Sequence, residues 1–251
     1  MPKGDDRSYN DHAYRDNLAY IHDVGFGGFA KSAAPWLLEL LQKQVQVREL
    51  VIDLGCGSGI WAQALSGAGY PVLGYDQSPA MVAIARSRVP EAEFRVNSFL
   101  RAELPACTAV TALGEVFNYL FDKQNTTQSL QKLFRRIHKA LLPGGLLVFD
   151  VALPGRVPGG QRRGFSEGED WACLFEAEED PARRMLTRRI TSFRKVGQHY
   201  RRDFEVHRLR LYDCAELAAQ LRAIGFRVRR LTSYGSAVFP PGYAGFIARK
   251  G

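Results

Sequence analysis

Beginning at residue 49, short runs of β-branched and aliphatic residues alternate with longer runs whose apolar side chains recur every three or four positions. Residues 49–54, 70–75, 92–96, 108–113 and 145–151 have the first texture; 60–68, 78–88 and 126–142 have the second. A chain that alternates strands with helices long enough to cross back over them builds a parallel sheet, because parallel neighbours need a crossover that a tight turn cannot supply. Local signals agree. Ser78 followed by Pro79 is an N-cap and first-turn pair, while Pro143-Gly144-Gly145 stops a helix whose apolar face is Leu130, Leu133, Ile137 and Leu141.

Beyond Val151 the texture changes. Residues 154–168 are rich in Pro and Gly and read as loop, and 171–179, 185–196 and 199–212 read as strands parted by the turn signals Asp180-Pro181 and Gly197-Gln198. Residues 154–212 are therefore expected to form an antiparallel β insertion after the fifth strand. On its last strand Glu205, His207, Leu209 and Leu211 share one face. A helix resumes at Asp213, in capping-box spacing with Glu216, and ends at Gly225 before two final strands. At the other end, residues 31–43 have helical periodicity, and 1–30 are polar, Tyr-rich and punctuated by Gly25, Gly27 and Gly28, as in a hinged helical lid. The expected fold is α/β: a Rossmann-like, seven-stranded, mostly parallel sheet with helices on both faces. The lid and the insertion belong to one domain over residues 1–251.

Composition restricts the chemistry. Cysteines 56, 107, 173 and 214 form no CxxC pair, so no metal site is expected. No run approaches the roughly 18 apolar residues of a membrane helix, and the first residues lack the apolar stretch of a signal peptide, which points to a cytoplasmic protein with no membrane partner. The formal charge of +8 lies entirely in the last 96 residues, where 19 Lys and Arg face 11 Asp and Glu. No aromatic-interleaved motif accompanies these arginines, so nucleic acid is a weak expectation.

The chemistry centres on Val51-Ile52-Asp53-Leu54-Gly55-Cys56-Gly57-Ser58-Gly59, a glycine loop between an expected strand and helix. Its glycines allow a sharp turn and close approach of backbone to a ligand. The next strand ends at Asp76, whose carboxylate can accept both hydroxyls of a ribose. The loop reads GxGxG rather than the GxGxxG of dinucleotide sites, and Asp53 precedes it. A carboxylate there repels a pyrophosphate but suits an ammonium group. Ribose plus cationic amine describes S-adenosyl-L-methionine.

These residues, with Asn97-Ser98 after the third strand, Leu113-Gly114-Glu115 after the fourth and Leu142-Pro143-Gly144-Gly145 before the fifth, resemble class I S-adenosylmethionine-dependent methyltransferases over roughly residues 30–250. The resemblance implies that Gly55, Gly57 and Gly59 wrap the methionine moiety, with Asp53 at its amino group and Asp76 at the ribose. It also implies that Gln77 and Met81 border the adenine, that Asn97 and Ser98 meet its edge, and that Leu113 to Glu115 lie near the sulfonium. Cys56, within the loop, packs between strand and loop.

The segment Glu115-Val116-Phe117-Asn118-Tyr119 departs from the Asn/Asp-Pro-Pro-Tyr/Phe motif of nucleic-acid and protein-glutamine methyltransferases. It is similar instead to small-molecule enzymes resembling glycine N-methyltransferase. Tyr20, His22, Glu115 and His207 are the candidates for contact with the reacting groups. The acceptor is expected to be a small molecule methylated on N or O. The alternatives are an RNA or protein docked on the Arg-rich insertion, or a non-catalytic module that only binds the donor. An enclosed cavity favours the first and an open basic groove the second.

Overall fold

The computed structural model describes residues 14–45 and 48–251. Residues 1–13 of the expected lid lie outside these. Two helices come first, α1 (Asp16–Phe26) and α2 (Gly28–Gln44). Then β1 (Val51–Leu54), α3 (Ile60–Gly67), β2 (Val72–Asp76), α4 (Pro79–Arg88), β3 (Glu93–Val96), β4 (Cys107–Ala112), α5 (Thr127–Ala140) and β5 (Leu141–Ala152) alternate as expected. β1 to β5 run parallel in the spatial order β5-β4-β1-β2-β3. Two late strands, β13 (Tyr243–Lys250) and β10 (Phe226–Leu231), extend the β5 edge, β13 antiparallel to β5 and β10 antiparallel to β13, and complete a seven-stranded sheet.

The period-two alternation of strand side chains divides the core in two. Ile52, Leu54, Leu73, Tyr75, Leu147 and Phe149 pack with α5 and with α6 (Cys214–Ile224) on one face. Their neighbours Val51, Val72, Leu146 and Val148 pack with α2, α3 and α4 on the other. Ser78 caps α4 by accepting from the Met81 amide, and Asp213 caps α6 by accepting from Ala215 and Glu216. The capping box of α6 is only half made, because the Glu216 carboxylate turns outward to Arg184.

The insertion is a four-stranded antiparallel sheet of β6 (Gln161–Glu167), β7 (Trp171–Asp180), β8 (Met185–Val196) and β9 (His199–Arg210). β6 occupies part of what the sequence suggested was loop. It is an edge strand with mostly exposed side chains, so its Gly and Arg content masks the pattern. A two-stranded ribbon, β11 (Ser233–Tyr234) and β12 (Ala237–Val238), precedes β13.

The Asp180-Pro181 and Gly197-Gln198 turns fall between strands as expected, and the latter sets the register in which Arg188 faces His207. Glu205, His207, Leu209 and Leu211 are buried, as the alternation requires. Asn118 joins insertion to core. Its amide donates to the carbonyls of Ala152 (2.9 Å) and Arg210 (2.6 Å) and accepts from the Ala152 amide (3.1 Å). Whereas its neighbours Glu115, Val116 and Tyr119 face a cavity, Asn118 is fully buried and staples three chain segments.

The hinge reading of the N-terminal glycines needs correction. Gly25 lies within α1, Gly27 has helical φ −67° and ψ −6°, and Gly28 opens α2. Gly25 and Gly27 serve close packing. A methyl on Gly25 would stand 2.5 Å from the Trp171 ring, and one on Gly27 2.5 Å from Ile60 Cδ1. α1 is thus clamped between the insertion and the helices α3 and α4.

Asn118→Ala should lower the unfolding free energy by at least about 2 kcal/mol, since it strands buried backbone groups that cost about 1–3 kcal/mol each. Urea denaturation would show this as a lower midpoint at unchanged slope.

Candidate functional site

The strand order reverses between β1 and β4, and a crevice opens there at the carboxyl ends of the parallel strands. It continues beneath the insertion as a cavity of about 610 Å³, within the roughly 300–1,000 Å³ typical of small-ligand sites. The glycine loop forms one wall. Gly55, Gly57 and Gly59 have φ of +69°, +53° and +78°. A methyl on Gly55 would strike Val116, and one on Gly59 would press on Ala85, so both are fixed by packing. A methyl on Gly57 meets nothing within 4 Å: this glycine faces open cavity.

Asp53 is buried at the end of β1, and β4 places Thr111 directly opposite, its hydroxyl donating to Asp53 Oδ1 at 2.7 Å. Trp61 Nε1 donates to the same hydroxyl at 3.1 Å and fixes its direction. Burial pushes the Asp53 pKa up to about 7, opposed by the Thr111 hydrogen bond and reinforced by Asp76. Asp76 accepts from the amides of Gly57 (2.9 Å) and Ser78 (2.8 Å), which ties the β2 end to the loop. Each oxygen retains acceptor capacity for a diol. Burial raises its pKa and these amides offset part of the rise.

Cys56, Gln77, Met81, Asn97, Leu113 and Gly114 also line the cavity. Burial raises the pKa of the Cys56 thiol, consistent with packing rather than reactivity. Two residues of that set do not reach the wall. Gly59 sits behind the loop against Ala85, and Ser98 is turned inward, its amide donating to Asn97 Oδ1 and its hydroxyl accepting from the Leu100 amide. These residues fit the bound form of S-adenosylmethionine inferred above: an open glycine cradle, and buried carboxylates for an ammonium and a diol.

The other half of the cavity lies under α1 and the insertion. Tyr14, Leu18, His22 and Phe26 recur every four positions and line it. Tyr20 falls on the opposite side of the helix. Its hydroxyl donates to Asp170 at 2.8 Å and its ring lies 3.7 Å beneath the Arg194 guanidinium, so it anchors α1 and does not touch the cavity. Burial lowers the His22 pKa to about 4, and its Nδ1 has no hydrogen-bond partner among the described residues. The Tyr14 hydroxyl meets that of Tyr119 at 2.9 Å.

His207 is buried behind the rings of Tyr14, Tyr119 and Phe121, with Nε2 2.9 Å from Glu205. It supports the wall. Glu205 also accepts the backbone amides of Tyr14 and Arg15, which fixes where α1 begins.

Glu115 lines the cavity but is not a free base. Arg156 Nε donates to one of its oxygens and Arg188 Nη2 to the other, each at 2.7 Å. Burial opposes its ionisation, but the two guanidiniums outweigh burial and hold its pKa below the ordinary value. Sequence reasoning missed Tyr14, Arg156 and, above all, Asp150. This fully buried β5 carboxylate accepts from the amides of Gly114 and Glu115 and from the hydroxyls of Tyr234 and Tyr243. An acid in an otherwise apolar strand was the available signal.

The methyltransferase domain family matches residues 28–231. A Geobacillus sp. (strain WCH70) protein named as a methyltransferase is 27% identical over 206 residues, 78% of this chain and 81% of that protein. Solved structures share the fold. An S-adenosylmethionine-dependent methyltransferase from Clostridium acetobutylicum ATCC 824 superposes with TM-score 0.79 at 17% identity, covering 93% of this chain and 98% of its own. The sugar N-methyltransferase KedS8 from Streptoalloteichus sp ATCC 53650 superposes with TM-score 0.77 at 20% identity, covering 100% and 98%. The similarity reaches the class and not specifically the branch resembling glycine N-methyltransferase. The chain belongs to the methyltransferase domain family, and its fold is that of the class I S-adenosylmethionine-dependent methyltransferases.

Proposed function

We propose that this methyltransferase acts on a nitrogen or oxygen atom of a small molecule held beneath the insertion. S-adenosylmethionine, when bound, supplies a sulfonium methyl that is transferred in line, the carbon–sulfur bond breaking as the bond to the acceptor atom forms. The single observation that carries the reading is the cavity itself: the glycine loop, α1 and the insertion wall one space of about 610 Å³, which suits a metabolite rather than a polymer strand. Its work is to align the acceptor and exclude water. The sugar N-methyltransferase among its structural neighbours supports the same reading.

In this reading Gly55 and Gly57 hold the methionine moiety, Asp53 its ammonium and Asp76 the ribose, with Gln77, Met81 and Asn97 around the adenine. His22 is neutral near pH 7 and stands at the cavity wall, where it can take a proton from an acceptor hydroxyl or amine. The outward arginines of the insertion count against a polyanion, because several already meet acids: Arg163 with Glu176 at 3.0 Å, Arg189 with Glu178 at 3.1 Å and Arg183 with Asp180 at 3.6 Å. Arg188 differs from these and turns into the cavity.

Release of S-adenosylhomocysteine across a metabolite panel tests the proposal. Turnover with at least one free metabolite is expected; turnover with RNA or protein alone would refute it. Gly57→Val should leave a native circular-dichroism spectrum yet weaken S-adenosylmethionine binding by about 100-fold or more in calorimetry, since its side chain projects into open cavity from a left-handed backbone.

Donor affinity should also depend on pH. A cationic ligand favours ionised Asp53, whose pKa without ligand is about 7. Binding therefore releases protons below that pH, tightens by up to about tenfold per unit as pH rises from 5.5, and levels off above 7. Calorimetry in buffers of different ionisation enthalpy should detect the released proton in the wild type and not in Asp53→Asn.

A further inference from the structure

Charge is divided unevenly within the cavity. Asp53 and Asp76 sit at the end beside the glycine loop, whereas Arg156, Arg162 and Arg188 line the other end with Glu115 as the carboxylate among them. One carboxylate is shared by two guanidiniums, and the exposed Arg162, near the Phe175 ring, has no carboxylate partner among the described residues. The acceptor end therefore carries surplus positive charge. The donor adds one more net positive charge, since its ammonium and sulfonium outnumber its carboxylate. An ammonium-bearing acceptor would enter against all of these charges, while an anionic one would balance them.

Arg156 has the geometry to receive such an anion. Its Nε is committed to Glu115 and its guanidinium lies 5.4 Å from the Tyr243 ring, which is itself hydrogen-bonded to Asp150. These contacts orient the group. Its two terminal nitrogens have no hydrogen-bond partner among the described residues and belong to a side chain that lines the cavity. Arg188 differs, one terminal nitrogen donating to Glu115 and the other to the Tyr119 hydroxyl at 3.3 Å. A planar fork with two unpaired donors matches the two oxygens of a carboxylate or phosphate.

We propose that the methyl acceptor carries an oxyanion, a carboxylate or phosphate, and that Arg156 binds it bidentately while Arg188 and Arg162 supply the surrounding positive charge. This rests on the reading of the cavity as a small-molecule acceptor site. The group is a recognition handle; the methylated atom lies elsewhere on the molecule, toward the donor loop.

The test uses the full-length protein saturated with S-adenosylhomocysteine and titrated by NMR with benzoate, benzamide and phenyl phosphate. Benzoate or phenyl phosphate should bind at least about tenfold more tightly than benzamide, and Arg156→Gln should abolish that preference. Whichever anion binds more tightly identifies the group. Arg162→Gln, at an exposed side chain that does not touch Glu115, should weaken both anions severalfold and keeps the test valid if Arg156→Gln folds poorly. Equal binding of anions and benzamide, or anion affinities indifferent to both variants, overturns the proposal. Turnover confined to neutral or amine metabolites overturns it too but leaves the small-molecule reading standing, whereas turnover confined to RNA or protein overturns both.

Discussion

One buried carboxylate organises the centre of this molecule. Asp150 lies on β5 without solvent contact and gathers four donors: the Gly114 and Glu115 amides from the β4 loop, the Tyr234 hydroxyl from β11 and the Tyr243 hydroxyl from β13. Burial pushes its pKa up to about 6, and the donors resist that rise. Without them an ionised group in such a place would be costly. They also explain how Glu115 is held at φ +64°, a left-handed conformation that a side chain rarely adopts. With Glu115 so placed, its carboxylate reaches Arg156 and Arg188, and Gly114 and Leu113 are presented to the donor half. Both ends of the cavity thus depend on a residue that lines neither.

The alternation of strands and helices made the parallel sheet legible, because each crossover helix must cover a sheet face and therefore shows its period. The donor half was legible for a related reason. Its residues sit at strand ends and in a glycine loop whose backbone demands restrict the sequence. Gly59 and Ser98 do not reach the cavity wall, because sequence tells which residues occupy the loop, and packing against Ala85 or an inward turn decides which of them face the cavity.

The acceptor half was less legible, since it is assembled from segments far apart in sequence. Tyr20 and His22 are two positions apart, which on a helix means nearly opposite sides, and only one can face the cavity. The glycines of this stretch suggested a hinge and hid the four-residue repeat of Tyr14, Leu18, His22 and Phe26. Alternation rightly put His207 on the inner face of β9 but could not reveal that aromatic rings cover it. Arg188 was recoverable from the two-residue turn, which sets it opposite His207; among so many arginines its inward direction had no compositional mark.

The close approach of Gly25 to Trp171 bears on how such a protein can diverge. α1 meets the insertion through Glu205 at its first amides, Asn17 on Arg201, Tyr20 on Asp170, and a glycine whose missing side chain makes room for an indole. These contacts are specific in shape and charge, and each spans about 145 residues or more of sequence. The first helix and the inserted sheet are consequently one heritable module despite their separation along the chain. A recombinant that exchanges the sheet between relatives has to import the matching helix, whereas the glycine loop and parallel strands between them can be inherited unchanged.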